Sequence, residues 1–258
     1  MAFYREHGFV KLPGVFAPAT LTRYRDRFRE LVARAGRAPR SQDAQAETYR
    51  RAFDQVMNLW QADPLAREFT FGKRLAGIAA QLMGAAGVRL YHDQALHKRP
   101  SPDPATRGHT PWHCDRYYWP LDAAGTCTAW VPFQAVAIDS GPMSFAAGSH
   151  LVDLGREHAI GDAGQAEIGA RLAAAGLVEK IEAYALGEVS FHDGWTFHRA
   201  EPIRSGQARE VMTVIYMDAQ ARVAEPANAN QRADRAAWLP GVAVGELAAS
   251  PLNPLLWP

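Results

Sequence analysis

The 258-residue chain is poor in cysteine, holding only Cys114 and Cys127. A fold stapled by several disulfides is therefore excluded. Net charge is also scarce, at +1 from 28 Lys and Arg against 27 Asp and Glu. No block of one sign offers an electrostatic footprint for nucleic acid or an anionic membrane. No apolar run approaches the roughly 20 residues that a membrane-spanning helix needs. The opening MAFYREHGFVKLPG puts charges where a secretory signal would carry an unbroken apolar stretch. Internal repeats and low-complexity tracts are missing too. These absences leave an ordinary globular protein, expected to be cytoplasmic and reduced and to form one domain over 1–258. Its oligomeric state is not encoded in any pattern.

Two periodicities divide what remains. Leu21, Tyr24, Phe28, Leu31 and Val32 recur at helical spacing, which predicts a helix over Pro18–Ala35 with one buried stripe. Before it, Ala2–His7 reads as a helical turn ended by Gly8, and Phe9–Phe16 as a strand broken at Pro13-Gly14. After it, Arg37–Glu47 reads as a polar loop, and Thr48–Trp60 and Pro64–Met83 as two more helices. From Val88 the character turns to β. Val88–Lys98, His109–Trp119, Thr126–Ile138, Pro142–Ala147, Leu177–Tyr184, Gly187–His192 and Arg209–Asp218 are the expected strands, with a helical insertion around Gln165–Ala175. Beyond Ala219 the chain reads as an extended tail held by Leu252, Leu255, Leu256 and Trp257. A helical flank (about 1–86), a β barrel core (about 87–218) and a tail (219–258) follow.

The chemistry concentrates in HTPWHCDRYYW, His109–Trp119. In a strand His113 and Asp115 point the same way and Cys114 the other. One imidazole and one carboxylate on a shared face need one further donor to make a chelate. His198, in FHDGWTFHRA, is the best remote candidate, because a sheet folded into a barrel sets distant strands side by side. Two histidines and a carboxylate form the facial triad, which suits Fe(II) and leaves half of its octahedron open. His109 and Tyr117 share that strand face. His192 and Trp195, close to His198, have two readings, a ring that supports a metal ligand or the cosubstrate and plain structure, with structure the expectation for both.

Arg209 opens the strand REVMTVIYM and shares a face with Val211, Thr213 and Ile215. An arginine aimed into a barrel must meet an anion, since burying an unpaired guanidinium costs several kcal/mol or more. Arg204, in the turn IRSGQ, is the rival and is expected to face solvent. On the strand before the metal strand, His92, Gln94, Leu96 and Lys98 form the inward set. Two readings stand for Lys98, a pocket cation or a solvated strand end. Thr128 and Trp130 share the next strand's face, with pocket wall and plain core both open for Trp130. Arg99–Gly108, directly before the metal strand, reads equally as an active-site lid or a surface loop.

Taken in order, YHDQALHKRP (Tyr91–Pro100), WHCD (Trp112–Asp115), GPMSFAAGSH (Gly141–His150), and His198 with Arg209 eleven residues on resemble the phytanoyl-CoA dioxygenase family of Fe(II)/2-oxoglutarate oxygenases. The resemblance implies a double-stranded β-helix, the jelly-roll or cupin-like barrel. It implies iron on His113, Asp115 and His198, 2-oxoglutarate gripped at its far carboxylate by Arg209, and O2 as oxidant. Gln94, Lys98, Thr128 and Trp130 are the further cosubstrate-pocket candidates. The chain departs from the family's usual pattern at Ile203, where asparagine is frequent, and at Cys114, where glutamine is frequent; neither removes a ligand. Asp115 stands where halogenating relatives have a small residue, so hydroxylation of an unactivated C–H bond is the expected outcome, with desaturation or ring formation behind it. Two other readings are a metalloenzyme that does not use 2-oxoglutarate and a silent barrel serving as a binding module.

Overall fold

The computed structural model describes residues 1–35, 54–101, 108–122 and 125–258. Helix α1 (Ala2–His7) closes on Gly8 at φ 79°, whose N–H donates to Tyr4 O at 2.8 Å. Glycine adopts this left-handed cap without a Cβ clash. Strand β1 (Phe9–Leu12) follows, then α2 (Pro18–Ala35), which buries the five stripe residues named from the sequence. Phe28 stacks on Phe133 at 5.1 Å between ring centres and meets Phe69 edge-on. Truncating so enclosed a ring costs about 3–5 kcal/mol.

The expected loop Arg37–Glu47 lies outside the described residues. The expected helix Thr48–Trp60 is corrected where it is described. There the chain forms strand β2 (Asp54–Met57) and a 3-10 turn, Leu59–Gln61. Asn58, at φ 49°, interrupts any helix, and asparagine is one of the few residues that tolerates this conformation. β2 takes its hydrogen bonds from β3 (Val88–Lys98), a tertiary partner that overrides helix propensity. The single helix expected over Pro64–Met83 is two, α3 (Pro64–Thr70) and α4 (Lys73–Met83). Gly72, extended at ψ 121°, separates them. Asp63 caps α3 by accepting from Leu65 N at 2.9 Å and Ala66 N at 3.0 Å, with Pro64 in the position where a missing N–H does no harm.

The remaining strands are β4 (Thr110–His113), β5 (Thr126–Pro132), β6 (Met143–Ala146), β7 (Glu179–Ile181), β8 (Val189–Asp193), β9 (His198–Ala200), β10 (Arg209–Asp218) and β11 (Leu255–Trp257). They make two antiparallel sheets. The larger, of seven strands, runs β1-β8-β5-β10-β3-β11 with β2 also on β3, and the smaller runs β4-β9-β6-β7. This is the mainly β, jelly-roll arrangement with flanking helices that the sequence led one to expect. Among the described residues no strand pair joins the sheets into a closed barrel. Alternation gives the larger sheet two faces. Cys127, Ala129, Val131, Met212, Val214 and Tyr216 pack outward into the core shared with α2, α3 and α4. Trp130 and Val211 point inward, where they meet Met143 and Phe145 of β6.

Three further expectations change. The strand Thr126–Ile138 stops at Pro132, and Leu177–Tyr184 forms a strand only over its exposed residues Glu179–Ile181, with Tyr184 bridging separately to Val136. The helical insertion becomes α5 (Asp162–Ala174), whose Ile168 and Leu172 cover Trp112, Cys114 and Phe197 outside the smaller sheet. The tail is not merely extended: it forms α6 (Ala229–Trp238), capped by Asn228, and then β11 on the edge of β3. Leu256 is buried, but Leu255 is half exposed. Trp257 lies so close to α4 that a Cβ at Gly77 would sit 3.1 Å from its ring. Among the described residues no helix is long and apolar enough to cross a membrane.

Candidate metal centre and its cationic neighbour

The His-X-Asp pair sits where a strand ends. β4 stops at His113, Cys114 stays extended at φ −118° and ψ 136°, and Asp115–Tyr118 coils into a 3-10 turn. The strand expected through Trp119 is thus four residues long. Extended geometry persists just far enough to keep His113 and Asp115 together and to turn Cys114 into the apolar cluster under α5. Tyr117 consequently does not share the strand face. His109 approaches Asp162 at 3.7 Å instead. The turn is anchored by Arg116 N–H donating to Gly194 O at 2.9 Å and by Gln231 of α6 donating to Tyr117 O at 3.0 Å.

His198 opens β9, directly across from His113 in the register of the smaller sheet. Its turn is held by Thr196 Oγ1 donating to Gly8 O at 2.7 Å and Phe197 N–H donating to Ser149 Oγ at 2.9 Å. The donor atoms of His113, Asp115 and His198 all lie within 4.8 Å of one another. Asp115 Oδ1 is 3.6 Å from each histidine Nε2. Both rings engage a backbone carbonyl two residues back through Nδ1, Pro111 O and Thr196 O, at 2.9 Å in each case. That contact fixes the proton on Nδ1 and leaves the Nε2 lone pairs aimed at the common point.

Electrostatics favour the ligating forms. Burial pushes both histidines below their usual range, His198 furthest, since His113 and His192 add repulsion to its protonated state. Burial alone would raise the Asp115 carboxyl, but His198, His192 and His113 outweigh it and hold it well below the usual carboxylate range. Neutral imidazoles and an ionised carboxylate are what a divalent cation binds.

A second cluster lies on the inner face of the larger sheet. Arg209 and Lys98 are register partners on β10 and β3, exposed by 2% and 1%. Neither forms an ion pair with a carboxylate among the described residues. Lys98 Nζ donates to Glu201 O at 3.0 Å. Arg209 donates through Nη1 to Gly141 O, lies over the Trp130 ring at 5.5 Å, and leaves its buried Nε without a partner. Gly141 can take this place because it sits at φ +65°, where a Cβ would stand 2.3 Å from Glu201 O. Burial pushes Arg209 down to about 10. Burial first, and the Arg209 charge second, push Lys98 well below its usual range. Two adjacent buried cations with an idle donor are an arrangement that a bound anion would satisfy.

The other sequence candidates fall around these clusters. Thr128 lies not beside Arg209 but against the triad, donating from Oγ1 to Asp115 Oδ2 at 2.9 Å. Gln94 accepts from Gln55 of β2. Gln55 was missed because its segment had been read as helical; its Oε1 is buried without a partner. His192, expected to be structural, lies with Nε2 3.2 Å from Asp115 Oδ2. Its alternation with Ser190 on β8 was the available signal. Arg204 is exposed, and the centre of the Arg99–Gly108 segment lies outside the described residues. At the opposite end of the inner face, Asp234 of α6 accepts from Tyr91 Oη at 2.7 Å and Trp238 Nε1 at 3.2 Å, closing the wall beside His92.

Comparison with known proteins agrees with this geometry. No curated protein sequence matches the chain. Among solved structures, a non-heme alpha ketoglutarate dependent carbocyclase, SnoK from nogalamycin biosynthesis, is 27% identical over 98% of this chain and 94% of its own, with a TM-score of 0.78. The epimerase SnoN, in complex with Fe3+, alpha ketoglutarate and nogalamycin RO, is 25% identical over 99% and 96%, with a TM-score of 0.79. EvdO2 from Micromonospora carbonacea var. aurantiaca, complexed with 2-oxoglutarate, shares the fold at 18% identity over 89% and 93%, TM-score 0.64. Residues 4–211 match the family model for phytanoyl-CoA dioxygenase (PhyH), and the chain belongs to that family.

Proposed function

We propose that the protein is an Fe(II)/2-oxoglutarate-dependent dioxygenase that removes hydrogen from a C–H bond of a small molecule. His113, Asp115 and His198 would hold the iron; Arg209, with Lys98 beside it, would hold the far carboxylate of 2-oxoglutarate. The observation that carries this reading is the pairing of a complete donor triad with a buried guanidinium whose Nε has no partner. Trp130 lies two residues beyond Thr128 on β5, on the order of 7 Å along a strand, which is the scale of a five-carbon diacid. When bound, iron and cosubstrate supply the oxidising power.

The chain's own residues supply position and shelter. His113 and His198 present unprotonated Nε2 atoms, and Asp115 offers charge without taking a proton. Trp130 braces the guanidinium from below, while Met143 and Phe145 cover the inner face from the smaller sheet and would keep water off. Held at both ends, the cosubstrate would lose little freedom on reaction. Gln55 and Gln94 give the inner face a polar edge away from the metal, suited to orienting a substrate hydroxyl or amine.

Hydroxylation is the proposed outcome, and Asp115, which fills the position a halide would need, supports it. A second reading, ring closure or epimerisation, is favoured by the full-length similarity to SnoK and SnoN. Anaerobic reconstitution with Fe(II) and 2-oxoglutarate, followed by exposure to O2 with a panel of small metabolites, tests both. Substrate-stimulated succinate is the expected result. A product that gains one oxygen atom marks hydroxylation, one that loses two hydrogens marks ring closure or desaturation, and one of unchanged mass marks epimerisation. Metal binding without any 2-oxoglutarate binding would sink the proposal.

A further inference from the structure

Asp115 has two carboxylate oxygens, and the fold treats them differently. Oδ1 faces the two histidine Nε2 atoms at 3.6 Å each. Oδ2 points away, accepting from Thr128 Oγ1 at 2.9 Å with His192 Nε2 at 3.2 Å. These two groups reach it from a single rung: Thr128 and His192 are direct register partners on β5 and β8, side by side on the inner face and exposed by 3% and 1%.

The tautomer of His192 follows from what surrounds it. Its Nδ1 is buried with no hydrogen-bond partner. A proton there would be an unsatisfied buried donor, whereas an unprotonated nitrogen loses only an acceptor's contact. The ring therefore carries its proton on Nε2 and donates to Oδ2. Its faces meet Phe145 and His198, at 5.5 Å and 4.3 Å between ring centres, so it has little room to swing. Thr128 Oγ1 donates to Asp115 Oδ2 at 2.9 Å.

We infer that Thr128 and His192 are positioning residues that reserve Asp115 Oδ2, so that the carboxylate meets the metal through Oδ1 alone. Carboxylates bind divalent cations through one oxygen or through two. A carboxylate free to turn would take a further coordination position and compete with the cosubstrate or with O2. Two donors from one rung deny it that rotation. The inference rests on the triad being a metal site, as proposed above, and goes beyond it by assigning what keeps three positions open.

The test uses the full chain carrying Thr128→Val, Thr128→Ser, His192→Phe or His192→Gln, with Fe(II) titrated anaerobically by calorimetry and the near-infrared ligand-field spectrum recorded without cosubstrate. That spectrum reports coordination number and does not move when a residue matters only for packing. Thr128→Val and His192→Phe should each weaken Fe(II) binding by about tenfold or more and shift the ligand-field bands. Thr128→Ser, which keeps the hydroxyl, should resemble the parent protein, and His192→Gln, which keeps a donor, should recover part of the loss. Wild-type affinity and an unchanged spectrum in both Thr128→Val and His192→Phe overturn the inference. So does a loss of affinity that Thr128→Ser shows equally. Should His192→Phe fail to fold, Thr128→Val, which exchanges one hydroxyl for a methyl, decides alone. His113→Ala separates the two levels. If it binds Fe(II) like the parent, the metal-site reading itself fails; if it loses the ion while Thr128→Val and His192→Phe keep it, only the reserved oxygen does.

Discussion

The triad and the Lys98–Arg209 pair are both buried and both charged, yet one is internally satisfied and the other is not. Around Asp115 almost every polar atom has a use. Both triad histidines are tied through Nδ1 to carbonyls, and Asp115 Oδ2 has two donors. The two histidine Nε2 atoms and Asp115 Oδ1 converge on one point. At the other end two cations face each other on adjacent strands, hydrogen-bonded to backbone carbonyls and, among the described residues, paired with no carboxylate. The first arrangement is what a cation requires, with lone pairs fixed in advance. The second is what an anion requires, with donors left idle. A ligand with a chelating end and a carboxylate end, as proposed above for 2-oxoglutarate, would satisfy both at once.

Breaking the metal end should have the largest effect. His113→Ala or Asp115→Ala is expected to abolish succinate formation, since two donors no longer define the open face. Calorimetry with Fe(II) should then show no saturable binding. Breaking the anion end should act differently. Arg209→Met is expected to leave Fe(II) binding intact and to weaken 2-oxoglutarate by up to about 3 kcal/mol, roughly 150-fold. An unpaired buried charge burdens the ligand-free protein, so the same variant should raise the ligand-free Tm by about 2–4 °C while losing the further rise that 2-oxoglutarate gives the parent. A variant that destabilised the ligand-free protein and spared cosubstrate affinity would show that Arg209 serves the fold. Lys98→Met should follow in the same direction more weakly, about tenfold in 2-oxoglutarate affinity, because one donor is removed rather than a planar fork.

The sequence exposed the donors of both regions and hid what supports them. Alternation in Val88–Lys98 and Arg209–Asp218 matched the strands to the residue, and the inward set of Arg209, Val211 and Thr213 needed nothing beyond period two. His113 and Asp115 needed only one residue of extended chain between them, so the early end of β4 did no harm. What stayed hidden depends on contacts across the chain. Thr128 and His192 are far apart in sequence, and only register makes them neighbours over Oδ2. Gln55 was lost because its short strand exists by virtue of an edge that β3 offers, which no local pattern encodes. The C-terminal α6 looked like tail because its amphipathic face is closed by Tyr91 and Tyr117, residues more than a hundred positions earlier.

Asp93 provides the control for the comparison. It lies on β3, on the helical side of the same sheet, fully buried, and its oxygens accept from Leu59 N at 2.9 Å and Thr70 Oγ1 at 2.7 Å. Like Asp115 it is hydrogen-bonded; unlike Asp115 it has no cation or imidazole beside it among the described residues. Burial outweighs those hydrogen bonds and pushes its carboxyl up to about 6. The sign is then opposite to that of Asp115. A carboxyl whose folded pKa is raised keeps its proton where the unfolded chain has lost it, so its contribution to stability is fully present below about pH 4 and disappears as pH rises through about 6. Asp115, pushed down, contributes above the usual carboxylate pKa and loses that contribution as pH falls. Asp93→Asn should therefore gain on the parent protein by roughly 1 kcal/mol between pH 4 and pH 7, with water relaxation keeping the effect small, as read from urea midpoints of the metal-free protein. Should the two proteins keep the same pH dependence, hydrogen bonding alone would suffice to keep a buried carboxylate ionised in this fold. The imidazoles around Asp115 would then no longer be what separates a ligand from a structural acid.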